Sequence, residues 1–333
     1  MNIRVAVIGA GSWGTTVASL VAKNADTILW ARRSDIAKDV EANHANSAYL
    51  PGFNLSPTLR ATDDLAEAVS QADVLVVGVP SHGFRQTLEE AASHLRPWVP
   101  IVSLTKGFEV GTQMRMTEVV NELLPGHPAG VLTGPTLAKE ILAGDAAAAV
   151  LAMHESPIAE VLQRVFSSDL FRVYLNDDVV GCEAAGAIKN VIAIASGMAD
   201  GLGTGDNTRG AVITRGLNEL TRLGLSMGGR AETFAGLAGM GDLIATCISR
   251  QSRNRYVGEQ LGKGRRLDAV LAEMQQVAEG VRSTEVVLRI GERFRVDLPI
   301  CAEVDAVINH DRPPQEAYRG LLRRYSRGDR TNS

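Results

Sequence analysis

From Ile3 to Ile8 the chain is a nearly unbroken apolar run, and it passes straight into Gly9-Ala10-Gly11-Ser12-Trp13-Gly14. A buried strand, a GxGxxG turn and then a helix, predicted here over Thr15 to Lys23, open a βαβ dinucleotide unit. In that unit Gly9 allows the tight turn, Gly11 lets backbone approach a pyrophosphate, and Gly14 lets the helix pack close to the strand. The pyrophosphate rests on a helix N-terminus, where unpaired N–H groups and the dipole favour an anion. A glycine-rich turn with no ligand is the alternative; the strand before it and the helix after it argue for the cofactor.

The second predicted strand, Thr27 to Trp30, ends without the Asp or Glu that would hydrogen-bond a ribose 2′-OH, and Arg32 and Arg33 follow. Arginine suits a 2′-phosphate instead. At roughly 1.5–3 kcal/mol per charge-assisted contact, one or two contacts would favour NADP over NAD by about ten- to several-hundred-fold. NADP(H) is therefore the expected cofactor, with NAD(H) as a second. The competing reading makes one or both arginines solvated loop charges.

Across 333 residues, short β-rich runs alternate with helical segments in the first half: Val74 to Val79, Ile101 to Leu104, Gly130 to Leu132, Ala147 to Leu151 and Phe171 to Leu175 are the later strand candidates. Such alternation predicts an α/β fold with a Rossmann-type doubly wound parallel sheet. After Leu175 helical patterns take over: Val179 to Met198, Gly210 to Leu223, Tyr256 to Leu261, Leu267 to Gln276, Thr284 to Arg293 and Ala302 to Ile308. The expected domains are thus a dinucleotide-binding domain over 1–177 and an all-α substrate domain over 178–333. Ligands in such folds sit beyond the carboxyl ends of the strands, and the interface between domains is the expected place here.

With 34 basic against 38 acidic residues the formal charge is -4, which offers no general attraction to nucleic acid or to a membrane surface. An anionic ligand must then be caught by a local pocket. Cys182, Cys247 and Cys301 are too scattered for a disulfide framework, and the six histidines show no ligand spacing, so no metal is expected. The first strand begins by residue 3, and no apolar run approaches the roughly 20 residues of a bilayer span. Cytoplasm is the expected compartment. The arginine-rich tail from Arg319 to Arg330 suits a solvated helix face and a frayed end better than a binding arm.

Lys189 and Asn190 interrupt a stretch, Ala184 to Ala195, that is otherwise apolar or small on every helical face. A helix of that kind is buried. Burying an ammonium is costly unless it is paired, and desolvation lowers its pKa toward the range where a lysine trades protons. Reduction of a ketone by hydride needs a proton delivered to the oxygen, and a positioned acid contributes roughly 10²–10⁴-fold. Lys189 is the candidate acid; a lysine that snorkels to the surface or bridges the domains is the alternative.

Asp242, Thr246, Ser252, Arg253 and Asn254 gather in one short segment, with Asp242 and Thr246 at i and i+4, on one face if the segment is helical. Arg253 and Asn254 supply donors that a phosphate or carboxylate wants, and Asp242 suits holding Lys189 charged or orienting it. Capping and loop duties alone would equally explain an Asp, a Ser and an Asn. Lys106 closes the strand candidate that starts at Ile101, which puts it at the binding edge of the sheet or else in an exposed loop. Gly134-Pro135-Thr136-Leu137-Ala138 follows another strand, where backbone N–H groups at a helix start offer a second anion contact.

Taken in order, IGAGSWGT from Ile8, SLTKGFE from Ser103, LTGPTLAKE from Leu132, AGAIKNVIAIASGMADGLGTGDNTRGAVITRG from Ala185, GLAGMGDLIATC from Gly236 with SRN to Asn254, and AEGVRST from Ala278 resemble one family. It is that of the bacterial NAD(P)-dependent glycerol-3-phosphate dehydrogenases, which interconvert dihydroxyacetone phosphate and sn-glycerol 3-phosphate. The resemblance covers nearly the whole chain. It implies that Ser12, Trp13, Arg32, Arg33, Lys106, Ala138, Val277 and Glu279 contact the dinucleotide, with Arg253 touching both ligands. It implies a substrate site of Lys106, Gly134, Thr136, Lys189, Asp242, Ser252, Arg253 and Asn254, with Lys189 as proton donor and acceptor. Thr246 matches a position implicated in phosphate binding in eukaryotic relatives. Thr136-Leu137 stands where Ser-Phe is more usual, and the threonine keeps the hydroxyl. The family further implies homodimers that feed phospholipid synthesis in the cytoplasm.

Two rival functions share parts of this pattern. Another reductase of the same domain pairing, acting on a ketoacid such as ketopantoate, would use Arg253 to clamp a carboxylate. A non-catalytic NADP-binding sensor would need the glycine loop but no buried lysine.

Overall fold

The structure is a computed structural model and describes residues 3–274 and 278–323. The chain divides into two compact units, split between Glu183 and Ala184, with the short segment Val110–Gln113 counted with the second. The split lies inside the helix Val179–Gly201, past the boundary expected at 177/178. Its physical reason is Glu183 on the second turn of that helix. Its buried carboxylate takes the backbone N–H of Thr117 at 2.9 Å and the Arg115 guanidinium at 2.8 Å, both in the first unit.

The first unit is built on one eight-stranded sheet: β1 (Arg4–Ile8), β2 (Asp26–Trp30), β3 (Arg60–Thr62), β4 (Val74–Val77), β5 (Ile101–Ser103), β6 (Ala129–Thr133), β7 (Ala147–Met153) and β8 (Phe171–Asn176). Its order is β3-β2-β1-β4-β5-β6-β7-β8. The chain therefore winds outward one way from β1 and then reverses to the other side, as doubly wound sheets do. Along β1 the side chains alternate faces: Val5 and Val7 join a core with Val17 and Leu20 of the helix Ser12–Val21, while Ala6 and Ile8 join a second core with Phe84 and Leu88. Both faces are covered, which is why β1 is apolar at nearly every position.

One pairing departs from the expected parallel sheet: β7 runs antiparallel to β6, from Gly130 opposite Met153 to Thr133 opposite Val150. The link between them holds only the six-residue helix Ala138–Ala143, about 9 Å long. That is too short to carry the chain back along strands of about 17–23 Å. An 11-residue helix, Ser156–Phe166, does make the return, and β8 is parallel to β7.

Among the described residues of the second unit every regular element is helical: the rest of Val179–Gly201, Asp206–Ser226, Ala231–Ala235, a π-helical turn Leu237–Gly241, Asp242–Ile248, Arg253–Gly262, Leu267–Ala272, Glu279–Phe294, Pro299–Asn309 and Pro314–Arg323. Several of these start earlier than the apolar pattern predicts. The first turns of those at Asp206, Arg253 and Glu279 are polar, and the helix at Arg253 is capped by the Ser252 hydroxyl, which accepts from the Arg255 N–H at 3.2 Å. Val179–Gly201 is also long and apolar enough to cross a bilayer, contrary to the expectation of no such run, but 94% of its most apolar window is buried within the fold. It is a core helix, with Lys189 on it.

Three glycines bring a second helix, Arg253–Gly262, hard against it. A Cβ on Gly197 would lie 2.0 Å from the Arg255 carbonyl oxygen, one on Gly201 2.2 Å from that of Glu259, and one on Gly258 2.0 Å from that of Ile194. The absence of side chains at these positions sets the helix separation. It also fixes the distance between Lys189 and the segment Ser252–Asn254.

Candidate functional site

In the first unit the strand ends of β1, β2 and β4 are level, Ile8 pairing with Trp30 on one side and Val77 on the other. Gly9 turns the chain at φ 110, where a Cβ would meet the Gly78 carbonyl oxygen at 2.7 Å. A Cβ on Gly14 would lie 2.0 Å from the Gly9 oxygen, whereas Gly11 has nothing within 4 Å. The turn is tight on two sides and open on the third. Gly11 is also the N-cap of the helix Ser12–Val21 and gives it no side-chain cap, so the cradle that a Cβ would close faces the helix N-terminus that suits a pyrophosphate. The Trp13 indole N–H is buried with no hydrogen-bond partner among the described residues. These features fit a dinucleotide.

Two residues that sequence reasoning missed hold the cradle. Asn46, fully buried, donates to the Ala10 carbonyl at 3.0 Å and to the Thr15 hydroxyl at 2.9 Å. The Ser12 hydroxyl donates to the Tyr49 carbonyl at 3.2 Å. No local pattern announces either contact, because the partners lie more than thirty residues apart. Arg32 and Arg33 follow β2 on the surface; Arg33 is clasped by Asp35.

Lys106, half-buried beyond the end of β5, donates from Nζ to the Gly134 carbonyl at 2.9 Å and to the Thr136 hydroxyl at 3.2 Å. Three predicted residues from two segments thus meet at one edge of the sheet. Gly134 adopts φ 128, and Ala138 starts a helix that lasts only to Ala143.

In the second unit Lys189 is 4% exposed and does not snorkel to solvent. Its Nζ donates to Asp242 Oδ1 at 2.6 Å and to Thr246 Oγ1 at 2.5 Å. The Thr246 hydroxyl in turn donates to the Asp242 carbonyl at 2.7 Å. The helix Asp242–Ile248 places Asp242 and Thr246 on one face, as their spacing predicts. A buried ammonium this close to a buried carboxylate is held by its partner, and removing either would strand the other. Cys247 beside them is inert: burial pushes its thiol up to about 12 despite the opposing charge of Lys189.

Next to Lys189, Asn190 accepts the Asn254 amide N–H at 2.9 Å, and Asn254 Oδ1 accepts the backbone N–H of Gly280 at 2.9 Å. Asn254 therefore ties three helices together. Arg253 precedes it with its side chain exposed. The surrounding protein lowers the Arg253 pKa, and the charge of Glu279 raises it. Glu279 is half-buried at the first position of its helix; Val277 lies outside the described residues. Together the second unit offers a partnered buried acid and, on neighbouring turns, groups with donors for an anion.

Comparison with known proteins agrees over nearly the full length. Residues 4–159 match the model of the NAD-dependent glycerol-3-phosphate dehydrogenase N-terminus, and residues 178–319 that of its C-terminus. Glycerol-3-phosphate dehydrogenase (NAD(P)+) 2 of Sphingopyxis alaskensis is 56% identical over 323 residues, 97% of each chain. Glycerol-3-phosphate dehydrogenase (NAD(P)+) 1 of Mycobacterium bovis is 56% identical over 320 residues, 96% of this chain and 94% of its own. The crystal structure of glycerol-3-phosphate dehydrogenase from Coxiella burnetii superposes with a TM-score of 0.93 at 36% identity, covering 97% of this chain and 99% of that one. A glycine cradle fit for a dinucleotide, a buried lysine and carboxylate, and these likenesses over both halves of the chain lead to one conclusion: it belongs to the NAD-dependent glycerol-3-phosphate dehydrogenase family.

Proposed function

We propose that this protein reduces dihydroxyacetone phosphate to sn-glycerol 3-phosphate, reversibly, and so supplies glycerophospholipid synthesis. The observation that carries the reading is the buried Lys189, held by Asp242 and Thr246 in a chain of this family. A bound dihydronicotinamide supplies the hydride. Lys189 gives a proton to the ketone oxygen as charge develops there, and in the reverse direction takes it back. Asp242 fixes the ammonium and offsets its burial, so the donor is held in place before substrate arrives. Arg253 and Asn254, with Ser252 beside them, grip the phosphate; binding energy far from the reacting carbon then orients the ketone.

On the dinucleotide side, Gly9, Gly11 and Gly14 take the pyrophosphate, with Ser12, Trp13, Arg32, Arg33, Lys106, Ala138, Val277 and Glu279 along the rest of the cofactor. NADP(H) is preferred and NAD(H) is used. A homodimer in the cytoplasm is the proposed state, in line with the family resemblance of the sequence. The test is NADPH consumption with dihydroxyacetone phosphate set beside unphosphorylated dihydroxyacetone. A large gap in rate supports the phosphate grip, while equal rates, or turnover of ketopantoate instead, would refute the assignment.

A further inference from the structure

The two arginines after β2 are not equivalent. Ala31 is buried, and its N–H donates to the Thr62 carbonyl of β3 at 3.0 Å, so the chain leaves the sheet at a fixed point. Arg33 is the N-cap of the helix Ser34–Asn43, and Asp35 lies in its first turn. That places their side chains side by side. Arg33 Nε donates to Asp35 Oδ1 at 3.0 Å and a terminal nitrogen donates to Oδ2, so both carboxylate oxygens are engaged by one guanidinium fork. Each partner holds the other in its charged form: Asp35 is pulled below the usual carboxylate range and Arg33 is raised. Tyr49 also acts on Arg33, and the Tyr49 carbonyl is the acceptor for Ser12 of the glycine turn. The pair therefore stands beside the cradle. Arg32, also exposed, has no hydrogen bond or ion pair among the described residues.

We propose that Asp35 sets the cofactor balance of this protein, holding Arg33 in a surface ion pair and leaving Arg32 as the group that meets a 2′-phosphate. The inference rests on the reading that the glycine cradle takes NAD(P). A guanidinium fork already matched to a carboxylate has no free face for bidentate phosphate recognition. The same carboxylate does not oppose NAD, whose ribose carries a hydroxyl there. Because both partners are more than half exposed, the clasp is weak and exchangeable. It grades the preference rather than abolishing either cofactor, which accounts for one site serving both.

Titration of the full-length protein with 2′,5′-ADP and with 5′-AMP isolates the 2′-phosphate without requiring turnover, and initial rates with NADPH and NADH give the corresponding kcat/KM ratio. Arg32→Ala should weaken 2′,5′-ADP by about tenfold or more and leave 5′-AMP within about twofold. Arg33→Ala should cost 2′,5′-ADP no more than about threefold. Asp35→Asn should raise the preference for 2′,5′-ADP over 5′-AMP, and for NADPH over NADH, by about three- to tenfold. The double variant Asp35→Asn with Arg33→Ala should fall back to the level of Arg33→Ala alone.

Equal losses from the two arginine variants would overturn the proposal, as would an unchanged ratio in Asp35→Asn. A gain that persists in the double variant would mean that Asp35 acts by its own charge, and the clasp would be refuted. If neither nucleotide binds the parent protein, the cofactor reading falls along with it. If the nucleotides bind as expected but dihydroxyacetone phosphate is not reduced, only the assigned reaction fails.

Discussion

Gly258→Ala should be a poor substitution in a place where helix propensity alone favours it. Alanine gains up to about 1 kcal/mol over glycine in a helix interior. At Gly258, however, the new methyl carbon would lie 2.0 Å from the Ile194 carbonyl oxygen and 2.9 Å from the Met198 nitrogen. Both are backbone atoms of the helix that carries Lys189, so no side chain can rotate away. Carbon–oxygen contacts need about 3.3 Å, and the two helices must part by more than about 1 Å. Overpacking of this kind costs roughly 1–3 kcal/mol, which outweighs the propensity gain. Gly210→Ala is the matched control: it lies in the helix Asp206–Ser226, with nothing within 4 Å of its Cβ position, and should be neutral or stabilising.

Thermal melting of the two variants, followed by kcat/KM for dihydroxyacetone phosphate, separates the effects. At about 2–4 °C per kcal/mol for a unit of this size, Gly258→Ala should melt several degrees below Gly210→Ala. It should also turn over more slowly, because Arg253 and Asn254 sit on the displaced helix and Lys189 on its neighbour. Equal melting temperatures would show that the glycine contact does not set the helix spacing.

Other expectations follow from single groups. Lys189→Ala should fold and bind NADPH yet lose about 10²–10⁴-fold in kcat; near-normal turnover would remove its proton role. Glu219 is buried, and accepts the Ile300 and Cys301 N–H groups at 2.7 and 3.3 Å. Burial raises its carboxyl to about 7, above its unfolded value near 4.5. Folding therefore takes up a proton between those values, so the stabilisation is full below about pH 4.5 and falls by at most about 3 kcal/mol as pH rises to 7. Melting temperature against pH should show this decline in the parent and a flatter profile in Glu219→Gln; identical profiles would place the buried carboxyl's titration elsewhere.

The parts of this molecule legible in its sequence are those encoded over short distances. The glycine turn announces itself within six residues, and Lys189 stands out because its helix offers no other cation. Asp242 and Thr246 share a face by spacing alone. Less legible was β3, three residues long at a sheet edge; so was the reversal of β7, which depends on the length of a link rather than on any residue in it. The clamp of Asn46 on the glycine turn and the bridge from Asn190 through Asn254 to Gly280 join residues far apart in the chain. An asparagine in isolation says only that it is polar. Arg33 and Asp35 are only two residues apart, yet their pairing depends on Arg33 capping the helix Ser34–Asn43, which residue types alone do not reveal.

The π-helical turn Leu237–Gly241 closes with the Gly241 N–H on the Gly236 carbonyl, five residues back, at 3.1 Å. Such a turn holds one residue more than an α-helical path would, and each residue advances the chain by about 100°. Removing one of the five would tighten the turn to an α-helical path, but removing one between Asp242 and Thr246 would swing Thr246 by about 100° off the face it shares with Asp242. Here the chain is constrained in length as well as in composition: a change of side chain alters a contact, but a change of count re-aims every group downstream.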